Sequence, residues 1–155
     1  SFIALFFMLF HSLTDIESGY IYDPWALAMT AVSMLARLSG GFSALIDGAM
    51  GAALGFLFIY AIVLLSRGGM GMGDAMMMLG VGALLGWKLT ILSLYLGFMS
   101  SGAIVIPLLA AKKLSRKDAV ALGPYLAAGC ILAIFTGRFI FEYLGFSLGW
   151  PWSNI

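Results

Sequence analysis

Residues 43–78 read SALIDGAMGAALGFLFIYAIVLLSRGGMGMGDAMMM. A long apolar run stops at Ser66-Arg67, passes through the glycine-rich turn Gly68-Gly69-Met70-Gly71-Met72-Gly73, and meets a carboxylate, Asp74, at the mouth of the next apolar run. Crossing a hydrocarbon core of about 30 Å takes about 20 helical residues, and the stretch 43–65 meets that length. The stretch is therefore predicted to be a transmembrane helix, and the acid stands where a second helix begins.

Composition agrees. Of 155 residues, 63% are hydrophobic and 10% charged, with a mean hydropathy of +1.07. Soluble domains carry about 25% charged residues, so this chain is predicted to live in a bilayer, with membrane lipid around it. A net charge of +1 argues against a nucleic-acid footprint, which needs clustered basic residues on an exposed face. The one cysteine, Cys130, cannot form an intrachain disulfide and reads as a small core residue.

Working outward, apolar stretches occupy residues 1–15, 24–38, 43–65, 74–87, 89–111 and 119–146. The expected fold is all-α, a single transmembrane domain over 1–155 with six membrane helices. The fourteen residues before Asp15 reach only about 21 Å as a helix, and the chain opens on Ser1, so upstream sequence is expected. A signal peptide over Phe2–Phe10 would need a positive n-region and a small-residue cleavage site, and neither is there. If the helices alternate, Arg67, Lys112, Lys113, Arg116 and Lys117 share one side, against Arg37, Lys88 and Arg138 on the other. The compact basic loop 112–117 is expected to be cytoplasmic, which puts Asp15 and Asp74 at the cytoplasmic ends of their helices.

Most of the acids have structural readings. Asp23 before Pro24 is a helix cap, and Ser115 with Asp118 resembles a capping box. Asp47 is expected at the membrane interface, and Glu142 has no evident partner. Asp15 and Asp74 differ. Asp15 ends a helix, where the dipole disfavours a negative charge. Asp74 opens one, where capping is an alternative role. Acids inside a membrane are costly and usually face a bundle interior or a watery cavity.

Two acids on one side, on different helices, suit an aspartyl protease. Close carboxylates share one proton and titrate as a pair. The ionised partner takes a proton from water while the protonated one donates to the scissile carbonyl oxygen. The glycines beside Asp74 allow close approach of extended substrate and positive φ. Gly69 and Gly73, Gly51 and Gly55, and Gly82 and Gly86 have small-xxx-small spacing, which for the last two pairs reads as helix packing. A P-loop is excluded, because no Gly-Lys-Ser/Thr follows the glycines. Met70, Met72, Met76, Met77 and Met78 read as adaptable packing or pocket lining and not as metal ligands. His11, four residues before Asp15, shares its helical face and reads first as a bundle hydrogen-bonder.

The run GGMGMGDAMMMLGVGALLGW resembles the second active-site motif, Gly-x-Gly-Asp, of the type IV prepilin peptidases. SLTDIESGYIYDPWAL resembles the segment with that family's first catalytic aspartate, and ALGPYLAAG its Phe-Gly-Pro-Phe/Tyr-Leu-Ala motif. The resemblance implies that Asp15 and Asp74 are the catalytic pair and that Gly71 and Gly73 shape the loop beside Asp74. It implies cleavage of the basic leader from type IV prepilins or pseudopilins at the cytoplasmic face of a bacterial inner membrane, with no metal or organic cofactor. Gly123-Pro124 is then expected to interrupt the hydrogen bonding of the last helix near the pair.

Three positions depart from the family pattern. Met76 stands where lysine is usual, Tyr22 where proline is frequent and Leu122 where phenylalanine is usual. The paired-cysteine region that many members use to methylate the new pilin N-terminus is not among these residues, so only proteolysis is expected. Two rival readings remain: a preflagellin or presenilin-like protease of Gly-x-Gly-Asp type, and a small transporter using both acids for protons or cations.

Overall fold

The computed structural model describes residues 23–66, 71–110 and 123–148. Within them lie five helices and no strand: α1 Asp23–Leu38, α2 Phe42–Leu65, α3 Met72–Leu85, α4 Trp87–Ala110 and α5 Gly123–Tyr143. The all-α class is as expected, and each helix falls on one of the apolar runs. The expected helix over 1–15 lies outside the described residues, as does the Ser115/Asp118 capping box.

Helix ends follow local chemistry. Beyond α1 the chain turns tightly, with Gly40 N–H donating to Arg37 O at 3.0 Å. A single residue, Gly86, turns α3 into α4, and its φ of 79° is one that a side chain rarely adopts. Pro107 lies within α4, where it withholds the bond due to the carbonyl four residues earlier. Thr30, Thr90 and Thr136 each donate to the carbonyl four residues back, at 2.7–2.8 Å, so their hydroxyls are satisfied within their own helices.

Helices α2 to α5 are apolar on all sides, the pattern of helices surrounded by protein or lipid. α2 and residues Pro124–Tyr143 of α5 are long and apolar enough to cross a membrane, while Ala26–Leu38 and α3 are shorter apolar helices. Large apolar side chains cover the outside as well, among them Leu57, Leu65, Phe135 and Phe139. An outer surface this apolar fits lipid.

α3 is the centre. Its residues Asp74, Ala75, Met77, Met78, Gly80, Val81, Gly82, Ala83 and Leu85 are all buried, and α1, α2, α4 and α5 each pack on it. Ile59 of α2, Leu89 of α4 and Leu126 of α5 join Met78, Val81 and Leu85 in one core. Glycine sets how near the helices come. A Cβ on Gly51 would sit 2.7 Å from Gly86 C and would overlap Gly82 O, and one on Gly55 would lie 2.6 Å from Met78 O. The two glycine pairs read as packing therefore form the α2/α3 contact. α4 and α5 meet in the same way, since a Cβ on Gly129 would be 2.6 Å from Gly97 Cα.

Far from Asp74, the corner joining α1, α2 and α3 is pinned by a buried arginine. Arg37 is 1% exposed. Its Nη1 donates to Asp47 Oδ2 at 2.8 Å and to Ala44 O at 2.9 Å, its Nε to Ala83 O at 2.7 Å, and its Nη2 to Leu84 O at 2.8 Å. Asp47, expected as an interfacial acid, is thus the partner of a buried cation, with its side chain 21% exposed.

One further expectation is corrected. Glu142 has a partner: Arg138 Nε donates to its Oε1 at 2.9 Å across one helical turn. Gly123-Pro124 opens the described part of α5, and residues 111–122 before it lie outside the described residues.

Because its Cβ would meet backbone on both α3 and the α3/α4 turn, Gly51→Ala is expected to destabilise the fold by about 1–3 kcal/mol. Denaturant unfolding in bicelles measures this, and a change below about 0.5 kcal/mol would contradict the packing described.

Candidate active site

Asp74 lies in the first turn of α3 and is 5% exposed. The N-cap of α3 is Gly71, with φ −76° and ψ 144°, so Asp74 is the third residue of the helix and not its N-cap. Its backbone N–H donates to Gly71 O at 3.2 Å. Spacing places it on the same helical face as Met77, Met78, Val81 and Leu85, the face that builds the core. A carboxylate at such a position carries a desolvation cost that an apolar residue would avoid.

The neighbouring glycines behave differently from expectation. Gly71 has an ordinary extended φ, Gly73 is inside the helix, and the positive-φ glycines among the described residues are Gly41, Gly86 and Gly145. A Cβ on Gly71 would come no nearer than 3.9 Å to a heavy atom, Gly73 N. Among the described residues, nothing requires glycine at 71.

The other proposed partner, Asp15, lies outside the described residues, as do His11, Gly69, Met70 and the basic residues Lys112, Lys113, Arg116 and Lys117. Met77 and Met78 are buried in the core, while Met72 is exposed. Met76, which stands at the family's lysine position, is partly buried. Among the described residues no group of His, Cys, Asp and Glu could hold a metal ion.

The described helices alternate in direction. Arg37, Asp47, Leu84 and Gly86 meet at one end, where Lys88 Nζ also donates to Ser147 O at 2.6 Å beyond α5. Asp74 is at the opposite end, with the 66–71 connection. Arg37 and Asp47 were treated in the sequence as separate charges. The signal joining them was available: two helices linked by Ser39-Gly40-Gly41 run antiparallel, which brings position 37 beside positions 44–47.

Comparison with known proteins now bears on this site. Residues 2–106 match the type IV leader peptidase family, a span that includes both Asp15 and Asp74. The chain belongs to that family. It is 27% identical over 143 residues to the prepilin leader peptidase/N-methyltransferase of Burkholderia pseudomallei, covering 89% of this chain and 46% of the relative. The protein of the same description from Bacillus subtilis is 28% identical over 139 residues, covering 89% of this chain and 56% of the relative. The one from Aeromonas hydrophila is 28% identical over 128 residues, covering 79% and 44%. The chain thus spans about half the length of the curated relatives it matches. No solved structure matches it at a significant level.

Since Gly71 has room for a methyl group, Gly71→Ala should leave unfolding within about 0.5 kcal/mol of the parent. Thermal unfolding beside Gly51→Ala measures the contrast. A loss at Gly71 as large as that at Gly51 would show that the backbone itself needs the glycine.

Proposed function

We propose that this chain is a membrane aspartyl endopeptidase that removes the basic leader from type IV prepilins or related pseudopilins. Asp15 and Asp74 form the catalytic dyad. The observation that carries the reading is the burial of Asp74 in the first turn of the central helix, within the span matched to the family.

The tether supports a meeting of the two acids. Asp15 and Asp23 are eight positions apart, a reach of at most about 29 Å. A Cβ on Gly80 would lie 3.3 Å from Ala26 O, so the start of α1 runs beside α3 only about 9 Å along the helix from Asp74. In the reaction the ionised carboxylate takes a proton from water as the oxygen attacks the scissile carbonyl carbon. The protonated partner gives its proton to the carbonyl oxygen. Collapse of the tetrahedral species breaks the C–N bond: the amine leaves with the proton first taken from water, and the partner carboxylate takes back a proton from a hydroxyl of the gem-diol, which restores the dyad.

Six membrane helices, with the dyad facing the cytoplasm, complete the proposal. The alternation of the described helices puts the connections 66–71 and 111–122 on the side of Asp74, and these carry five of the eight basic residues. The apolar helix of the substrate would remain in the bilayer while its leader meets the bare backbone at Gly71. The family match favours peptide hydrolysis over ion transport.

The test is cleavage of a prepilin with its basic leader and glycine junction by the full chain and by its Asp15→Asn and Asp74→Asn variants. Each isosteric variant should fold and lose at least about 10³-fold in rate. Variants that cut as fast as the parent would overturn the dyad.

A further inference from the structure

We infer that Arg37 is a positioning residue for the reaction at the opposite end of α3, fixing the height and tilt of the helix that carries Asp74. The inference rests on the peptidase reading above. Two of the four acceptors of Arg37, Ala83 O and Leu84 O, belong to the last turn of α3, where carbonyls lack partners within the helix. The other two, Ala44 O and Asp47 Oδ2, belong to α2. One planar fork therefore measures α3 against α2 from its own place on α1. Greasy contact between smooth helices would fix neither rotation nor height so closely.

The end of α3 far from Asp74 is closely fixed. Gly86 alone joins it to α4, and a Cβ there would press on Arg37 Nη2 and Asp47. Between the ends, α2 and α3 touch through glycine backbone, with Ile59 of α2 packed into the same core as Met78. The clamp thus acts on Asp74 through the length of α3. Ten residues, about 15 Å of helix, separate Asp74 from Leu84, so a tilt of about 5° moves the carboxylate by about 1 Å. A misplacement of that size can cost about 10²-fold in rate.

The chemistry of the pair points the same way. A buried ion pair adds little stability over apolar residues of equal volume, and its best-attested use is to fix register. Arg37 touches no reacting group, so it acts through α3 alone.

The experiment compares the full chain in nanodiscs with Arg37→Lys, which keeps the charge facing Asp47 but cannot bracket two adjacent carbonyls. Arg138→Gln, which breaks the exposed pair with Glu142, is the control. Leader cleavage gives kcat and KM, and the rate of carbodiimide labelling of Asp74 reports the setting of the carboxyl without turnover. Folded Arg37→Lys should lose at least about 10-fold in kcat, keep KM within about twofold, and label Asp74 faster, while the control matches the parent. If Arg37→Lys does not fold, the double variant Arg37→Met/Asp47→Leu, with no charge left unpaired, takes its place. Parental kcat and parental labelling in the folded variant would overturn the inference. Should the parent itself cut no leader, the peptidase reading fails, and the labelling rate alone decides: a change upholds the clamp and no change removes it.

Discussion

Everything else in the structure depends on α2 and α3 touching backbone to backbone. Gly51, Gly82 and Gly86 allow it, because any Cβ at Gly51 would occupy space already taken by the α3 backbone. Lipid tails are as apolar as leucine, so helices in a bilayer gain little by merely burying apolar surface. Close van der Waals contact has to supply the association. With α2 so near, α3 is enclosed by α1, α2, α4 and α5 and becomes the buried axis of the bundle. A short helix of fourteen residues is thereby held at the centre of a protein whose outer helices face lipid.

That enclosure creates the site. A carboxylate on the first turn of an outer helix would be one more interfacial charge, whereas on α3 it is sequestered beneath its neighbours. The opposite end of α3 carries the complementary feature, a cation buried among carbonyls and one carboxylate. The buried carboxyl and the buried cation lie near the two ends of one helix, with the apolar core of Met78, Val81 and Leu85 between them. One end is tightly bonded, and the other follows a connection rich in glycine.

Much of the helical layout was legible in residues alone. Hydropathy located α1 to α5 to within a few residues, because in a membrane the run of apolar residues itself defines the element. The glycine pairs 51/55 and 82/86 were readable as contacts because their spacing puts both members on one helix face. Less legible was the α4/α5 contact through Gly97 and Gly129, which are isolated glycines whose small neighbours, Ser93 and Ala133, complete the same spacing. The pairing of Arg138 with Glu142 was within reach of a simple four-residue rule.

The sequence by itself determined an all-helical, lipid-facing chain, the membrane-end position of Asp74, and membership of a peptidase family. Each of these depends on local pattern: apolar length, a carboxylate after glycines, and residues matched in order. Only the tertiary structure decided that α3 is the buried axis, that Gly71 and not Asp74 is its N-cap, and that Arg37 and Asp47 bind each other beside its last turn. These depend on which helices become neighbours, and helices apolar on every side carry no stripe to announce their partners.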